Sequence, residues 1–374
     1  MKYYLVAGEA SGDLHGSLLM TELARQDPAA QFRFVGGNKM TDASGTAPFM
    51  HYSDMSFMGF LEVFKNLGTI LENLKKVRVN IAGFQPDVLI LIDFPGFNLR
   101  LAKFAHKAGL RVFYFISPKV WAWNQRRVLK IKRDIDRMFV IFPFEVDFYK
   151  KWGMQVDYIG NPLMDAIEQF KTSAAGQVTD PGADTRPIVA LLPGSRRQEI
   201  GMILPDMLSV IPHFPDYRFV IAMAPDFTED YFLQYSGDAA VSFHAGNPYE
   251  LLSIAQAALV TSGTATLETA LLNIPEVVLY KTSVISYEIA RRLIKIPFIS
   301  LVNLIMNKEV IKELIQNDCN PDSICAELKK ILNNTGSRTV MLENYALLHQ
   351  QVGGAGAASR AAAKMFGYLQ QKAS

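Results

Sequence analysis

Short polar segments close five apolar runs in this chain, and each holds residues able to bind or react with a polar ligand. They are Gly8-Glu9-Ala10-Ser11-Gly12-Asp13, Asp93-Phe94-Pro95-Gly96-Phe97-Asn98, Ser117–Trp123, Leu192-Pro193-Gly194-Ser195-Arg196 and Ser262–Glu268. Asp93 directly follows the apolar run Val88–Ile92. A carboxylate at the mouth of a buried strand is partly desolvated, so it can take a proton from a hydroxyl nucleophile. The same position also suits a helix cap. Ser195 and Arg196 stand where a strand passes into a helix, and a helix N-terminus beside a guanidinium suits a diphosphate. Ser262, Gly263, Thr264 and Thr266 form a second such turn, whose N–H groups and hydroxyls can hold the other phosphate. Glu268, one helical turn further on, can accept from ribose hydroxyls. In the first segment, the glycines allow a tight turn and the Ser11 hydroxyl can hold a polar substrate, while Ser11 or Asp13 can equally cap a helix.

These segments need strands and helices to position them. In the first half, β-like runs at Tyr3–Ala7, Phe32–Val35, Val88–Ile92, Val112–Ile116, Met138–Phe142 and Val156–Ile159 alternate with helix-length stretches. In the second half, runs at Ile188–Leu192, Phe219–Ala222, Ala257–Val260 and Val277–Tyr280 repeat the alternation, and helical segments are expected from about Lys308 onward. This is the pattern of two doubly wound parallel α/β sheets, with ligands held at the carboxyl ends of the strands in a cleft between them. Residues 1–168 are expected to form one domain, 169–187 a small, polar, Pro/Gly-containing linker, 188–345 a second domain and 346–374 a C-terminal helix.

Composition excludes several classes. With 374 residues, 49% of them hydrophobic, each half can build its own core. No apolar stretch reaches membrane-span length, and the N-terminus lacks a signal-peptide pattern, so a cytoplasmic protein is expected. The two cysteines, Cys319 and Cys325, are too few for a disulfide framework. A net charge of +2 gives no support to a nucleic-acid partner. The first loop lacks both the G-x-G-x-x-G spacing and the Gly-Lys of a P-loop, which argues against nicotinamide and ATP sites. Asp134-Ile135-Asp136 matches a D-x-D metal pattern, but it lies among Lys130, Lys132, Arg133 and Arg137, where ion pairing accounts for it. No metal and no cofactor are expected.

Together with Ser117-Pro118-Lys119-Val120-Trp121-Ala122-Trp123 and Ile299–Leu304, these segments occur in the order found in lipid-A-disaccharide synthases, and the chain resembles that family over nearly its whole length. The resemblance implies a GT-B fold of two Rossmann-like domains, the C-terminal helix crossing back to the first. It implies an inverting transfer of 2,3-diacylglucosamine from UDP-2,3-diacylglucosamine to the 6-hydroxyl of 2,3-diacylglucosamine 1-phosphate, in an organism with a Gram-negative type of envelope. Asp93 then corresponds to the base. Arg196, Glu268, Asn303 and Gln316, the last placed in a helix, correspond to donor-binding positions, and Glu9 and Ser11 to the acceptor side. The chain departs from the family pattern at Asn161, where a His is common, and at Val302, where a Pro is common.

Acylated substrates imply contact with the inner-membrane surface. Phe60, Val63, Phe64 and Leu67, continued by Ile70, Leu71 and Leu74 within residues 57–78, have the spacing of an amphipathic helix. From the residues alone that helix reads as core-facing; acylated substrates turn the expectation toward lipid. Residues 119–133 interleave Trp121 and Trp123 with Arg126, Arg127, Lys130, Lys132 and Arg133, suited to the acceptor 1-phosphate or to anionic headgroups. The resemblance also allows a homodimer. Two alternatives stay open on sequence: another UDP-N-acetylglucosamine-dependent enzyme of the same fold, either the peptidoglycan transferase or the 2-epimerase, and a non-enzymatic peripheral membrane protein that binds lipid or nucleotide sugar.

Overall fold

The computed structural model describes residues 1–55, 67–173, 184–224, 227–237, 239–293, 296–333 and 336–371. The chain forms two compact units, Met1–Pro162 with Ala355–Ser374, and Leu163–Gly354. The division falls at Pro162 rather than at residue 168, so most of the helix Pro162–Thr172 belongs to the second unit. Much of the expected linker, residues 174–183, lies outside the described residues.

The first unit holds seven strands: β1 (Lys2–Ala7), β2 (Gln31–Gly36), β3 (Met50–His51), β4 (Val88–Ile92), β5 (Val112–Phe115), β6 (Arg137–Val140) and β7 (Asp157–Tyr158). They pair in parallel in the order β3-β2-β1-β4-β5-β6-β7. Tyr4, Val6, Leu89 and Leu91 enter one core layer, while Tyr3, Leu5, Ala7, Ile90 and Ile92 enter the other. Burial on both faces is why these strands read as unbroken apolar runs. The C-terminal helix Ala357–Gln370 belongs to this unit, where Ala361, Ala362 and Met365 join the second layer. Arg360 Nε donates to the Ile159 carbonyl at 2.7 Å, and Lys364 and Tyr368 both bond Asp157.

The second unit holds β8 (Ile188–Leu192), β9 (Arg218–Met223), β10 (Val241–Ala245), β11 (Ala255–Thr261), β12 (Glu276–Tyr280) and β13 (Lys312–Ile315). Their order is β10-β9-β8-β11-β12-β13, again all parallel. Strands β3, β10 and β13 are absent from the sequence-based expectation, and all three lie at sheet edges. An edge strand is covered less completely, so Val241–Ala245 and Lys312–Ile315 carry polar residues that blur the apolar signal. Beyond Lys308 the chain therefore forms a strand and a 3-10 turn, Gln316–Asp318, before the helix Pro321–Leu332.

In each sheet the order reverses direction once, between β1 and β4 and between β8 and β11. Ligands of open α/β sheets bind at such switch points, beyond the carboxyl ends of the strands. The loops that follow these four strands contain Gly8–Asp13, Asp93–Asn98, Pro193–Arg196 and Ser262–Glu268.

Asp13 is buried and bonds main-chain N–H groups of the neighbouring connection: Gly37 at 2.7 Å, Lys39 at 3.1 Å and Met40 at 3.2 Å. It thereby caps the helix Asn38–Ser44 rather than its own, the helix Ala10–Gln26. Replacing Asp13 with Ala strands three donors, two of them buried, and we expect a loss of about 2–4 kcal/mol in urea unfolding. A loss below about 0.5 kcal/mol would show that the bonds are replaced by water at no cost.

Candidate active site

Strand β4 delivers Asp93 at its carboxyl end, where Asp93 and Phe94 both adopt left-handed backbone, φ +42° and +48°. The helix Pro95–Lys107 starts directly after, and its N-cap is Phe94, so the carboxylate is not the helix cap. Asn98, fully buried, donates its side-chain amide to the carbonyls of Val6 at 3.3 Å, Ile92 at 3.1 Å and Asp93 at 2.8 Å. The Tyr114 hydroxyl also donates to the Asp93 carbonyl, at 2.5 Å. The Phe94 ring covers Gly8 so closely that a Cβ there would lie 2.2 Å from it. Glycine is therefore required in the loop after β1, and the two loops of the switch point are locked together.

The Asp93 carboxyl group is half-buried, and its pKa is pushed up to about 6. Burial is the main cause, the Glu9 carboxylate adds to it, and Lys119 and the Phe94 backbone oppose it. Glu9 is exposed and accepts from the Ser11 hydroxyl at 2.6 Å. Lys119 comes from the Ser117–Trp123 segment, which is anchored by Glu145, a buried carboxylate that the sequence reading did not single out. It accepts from the Ser117 hydroxyl, from Trp121 Nε1 at 3.1 Å and from the N–H groups of Ile141 and Phe142. Burial pushes its own pKa up to about 7. Trp121 is thus a core residue, while Trp123 is half exposed and carries Arg127 over its ring at 4.7 Å.

In the second unit, Ser195, Arg196, Ser262, Gly263 and Thr264 line one cavity of about 400 Å3 at the β8/β11 switch point. The helices Arg197–Ser209 and Thr264–Leu271 begin at this cavity, so two positive helix ends meet it. Gly194 turns the first loop with φ +104°, a conformation closed to most side chains. Arg196 is largely exposed, and its Nη1 donates to Glu199 Oε1 at 2.8 Å. Arg197 does not add to the cavity; its guanidinium sits over Phe227 and Tyr231.

Four residues expected at the ligand do not line the cavity. Thr266 is fully buried and donates to the Gly263 carbonyl at 2.9 Å, so it shapes the turn from within. Glu268 accepts from the Tyr249 hydroxyl at 2.8 Å, and burial raises its pKa. Asn303, also fully buried, bonds the Ile311 carbonyl and Glu313 through its amide nitrogen and accepts from the N–H groups of Val310 and Ile311. That exhausts the side chain. Gln316 follows β13 in a 3-10 turn, not a helix, and both ends of its amide pair with the backbone of Thr282. The D-x-D pair is likewise engaged: Asp134 is buried and held by Arg133, and Asp136 accepts from the Val112 N–H at 2.7 Å.

The family model described as lipid-A-disaccharide synthetase matches residues 3–364. The chain belongs to that family. Lipid-A-disaccharide synthase of Trichlorobacter lovleyi is 37% identical over 98% of this chain and 97% of its own length. Among solved structures, a glycosyltransferase of kitacinnamycin superposes with a TM-score of 0.67 at 14% identity, covering 97% of this chain and 98% of its own. A UDP-GlcNAc 2-epimerase from Neisseria meningitidis gives 0.64 at 13% identity with 100% of both chains covered. These likenesses carry the fold, which is of GT-B type. As a member of the lipid-A-disaccharide synthetase family the chain is a glycosyltransferase, and neither the peptidoglycan-transferase or 2-epimerase alternative nor the non-enzymatic one is favoured.

The raised pKa of Asp93 has a consequence for stability. A carboxyl group that holds its proton more tightly when folded, near 6 against an ordinary 3.8, burdens the fold above about pH 6, and the burden fades as pH falls toward 4. Asp93→Asn is therefore expected to stabilise the protein by about 1–2 kcal/mol at pH 7.5 and by almost nothing at pH 4, read by chemical unfolding at both pH values. Equal effects at the two pH values would contradict the desolvated carboxylate.

Proposed function

We propose that this glycosyltransferase moves 2,3-diacylglucosamine from UDP-2,3-diacylglucosamine to the 6-hydroxyl of 2,3-diacylglucosamine 1-phosphate. In that reaction the Asp93 carboxylate takes the proton of the 6-hydroxyl as its oxygen bonds the donor's anomeric carbon. The bond from that carbon to the diphosphate oxygen breaks, and its electron pair leaves with UDP. Attack opposite the leaving group inverts the anomeric centre and gives the β-1,6 disaccharide 1-phosphate. The observation that carries this reading is Asp93, a carboxyl group with a pKa near 6 and no capping duty, at the switch point of its sheet.

Departure of UDP needs stabilisation of the developing diphosphate charge. Two helix ends, Arg196 and the hydroxyls of Ser195, Ser262 and Thr264 suit that task, and a cavity of about 400 Å3 accommodates phosphate groups with part of a nucleotide. Thr266, Glu268, Asn303 and Gln316 act in this reading as supports of the loops rather than as ligand contacts. Glu9 and Ser11 border the acceptor. No metal is needed, because helix ends and a guanidinium supply the positive potential. Acylated substrates place the reaction at the cytoplasmic surface of the inner membrane, with the protein peripherally attached; a homodimer is compatible with the same chemistry. Among the described residues no helix is long and apolar enough to cross a membrane. In the helix Leu67–Phe84, Leu74, Val77 and Ile81 face the core, whereas Leu71 and Val79 are exposed; residues 57–66 of the expected lipid-facing stretch lie outside the described residues.

The test is release of UDP and disaccharide from the two acylated sugars in detergent micelles containing EDTA. The native chain is expected to turn over fully, and Asp93→Ala to lose on the order of 10²–10⁴-fold in rate while remaining folded. Turnover abolished by EDTA and restored by magnesium, or undiminished in Asp93→Ala, would overturn the mechanism.

A further inference from the structure

The helix that begins two residues after Asp93 carries a feature that proton transfer does not use. Along the face that turns toward the helix Val128–Asp134 it bears Arg100 and Lys103, and that neighbour and the turn before it bear Arg127, Lys130 and Arg133. These five cations and a single carboxylate, Asp134, line a cavity of about 350 Å3 that Pro95 and Gly96 also line. The sequence reading noted the cations of residues 119–133, but not Arg100 or Lys103, which come from a different part of the chain.

An ordinary solvated helix face in this protein looks different. On several other helices an exposed cation is matched by an acid one helical turn away, as in Arg25 with Glu22, Lys76 with Glu72 and Lys330 with Glu327. Around the cavity the acids are missing: Arg100 has Gly96, Phe97, Lys103 and Phe104 at those spacings, and Lys103 has Leu99, Arg100, His106 and Lys107. Lys130 has Asp134 four residues on, but that carboxylate is held by both Arg133 Nε and Arg133 Nη2, at 2.6 and 2.7 Å. Arg100, Lys103 and Lys130 carry no ion pair among the described residues. Like charges gathered in a concave site repel one another, and the arrangement costs stability unless an anion joins them.

We propose that this cavity binds the phosphomonoester of the sugar acceptor. The inference rests on the glycosyl-transfer reading above and adds to it a specificity site for the acceptor's charged end. The helix rise of 1.5 Å per residue puts Arg100 about 7.5 Å and Lys103 about 12 Å along the axis from the helix start, so a pyranose ring can hold its phosphate near Arg100 while its hydroxymethyl group lies toward Asp93. Guanidinium and ammonium groups from two helices then read a dianion, which a neutral sugar cannot replace. Glu9 and Lys119 stand beside Asp93 itself, so recognition of the phosphate and removal of the proton fall to different residues of one unit.

The experiment compares the native chain with Arg100→Ala/Lys130→Ala, both exposed positions, in three measurements. In turnover, the preference for the phosphorylated acceptor over its dephosphorylated counterpart is expected to fall about tenfold or more, through acceptor KM and not donor KM. In calorimetry without donor, glucosamine 1-phosphate is expected to bind the native chain, to bind the double variant at least about tenfold more weakly, and to bind Arg100→Lys nearly as well as native. Sedimentation with phosphatidylglycerol vesicles is expected to separate the two proteins little. An unchanged acceptor preference, a rise in donor KM instead, or loss of vesicle binding with the preference intact would overturn the inference, the last assigning the cavity to lipid headgroups. Absence of turnover in the native chain, with glucosamine 1-phosphate still bound in a cation-dependent way, would overturn the transfer reading and leave the phosphate site standing.

Discussion

The switch-point side of the first unit depends on one buried amide. Asn98 spans the carbonyls of Val6, Ile92 and Asp93, and so ties the ends of β1 and β4 to the turn that carries the carboxylate. Two successive non-glycine residues with left-handed backbone cost on the order of 1–3 kcal/mol each, and they persist only where the surroundings fix them. Asn98, the Tyr114 hydroxyl and the Phe94 ring packed on Gly8 supply that fixation. Strain, burial and a neighbouring like charge at Glu9 are features a fold optimised for stability alone would remove. Here they converge on a single carboxyl group.

A second regularity is the division between side chains that shape loops and side chains left available. Buried polar residues such as Asp13, Glu145, Thr266 and Asn303 spend their hydrogen bonds on main-chain groups of adjacent loops. The residues left at the surface of those loops, Glu9, Ser11, Lys119, Ser195, Arg196 and Thr264, are the ones with capacity for a ligand. A buried polar group must find partners inside the protein, so it is the poorer candidate for binding, however well its position in a motif fits. Two units with the same sheet logic thus present different groups at their switch points, a carboxyl group with a raised pKa in one and two helix N-termini beside Arg196 in the other.

Much of this was legible in the sequence because doubly covered strands write their burial plainly. The limits of Val88–Ile92 and Ile188–Leu192 are read directly from the apolar run, and the loops beyond them mark both switch points. Edge strands such as Lys312–Ile315 are not legible in this way, which is how Gln316 came to be placed on a helix. Side-chain direction is harder still. Asn303 turns inward because Glu313 and Ile311 meet it, and Arg197 turns aside because Phe227 and Tyr231 do, partners that no local pattern announces. Glu145 left a trace, since an acid third in a helix that opens with Pro143 is an ordinary capping signature. Arg100 and Lys103 left only the absence of acids at helical spacing.

The most direct test of a desolvated Asp93 acting as base is the pH dependence of kcat/KM with saturating detergent and no divalent ion. The acid limb is expected near pH 6, well above an ordinary aspartate, and Glu9→Gln should move it lower by relieving the like-charge contribution. A limb near pH 4, or one that Glu9→Gln leaves in place while Asp93→Asn retains turnover, would contradict the assignment of proton transfer to Asp93.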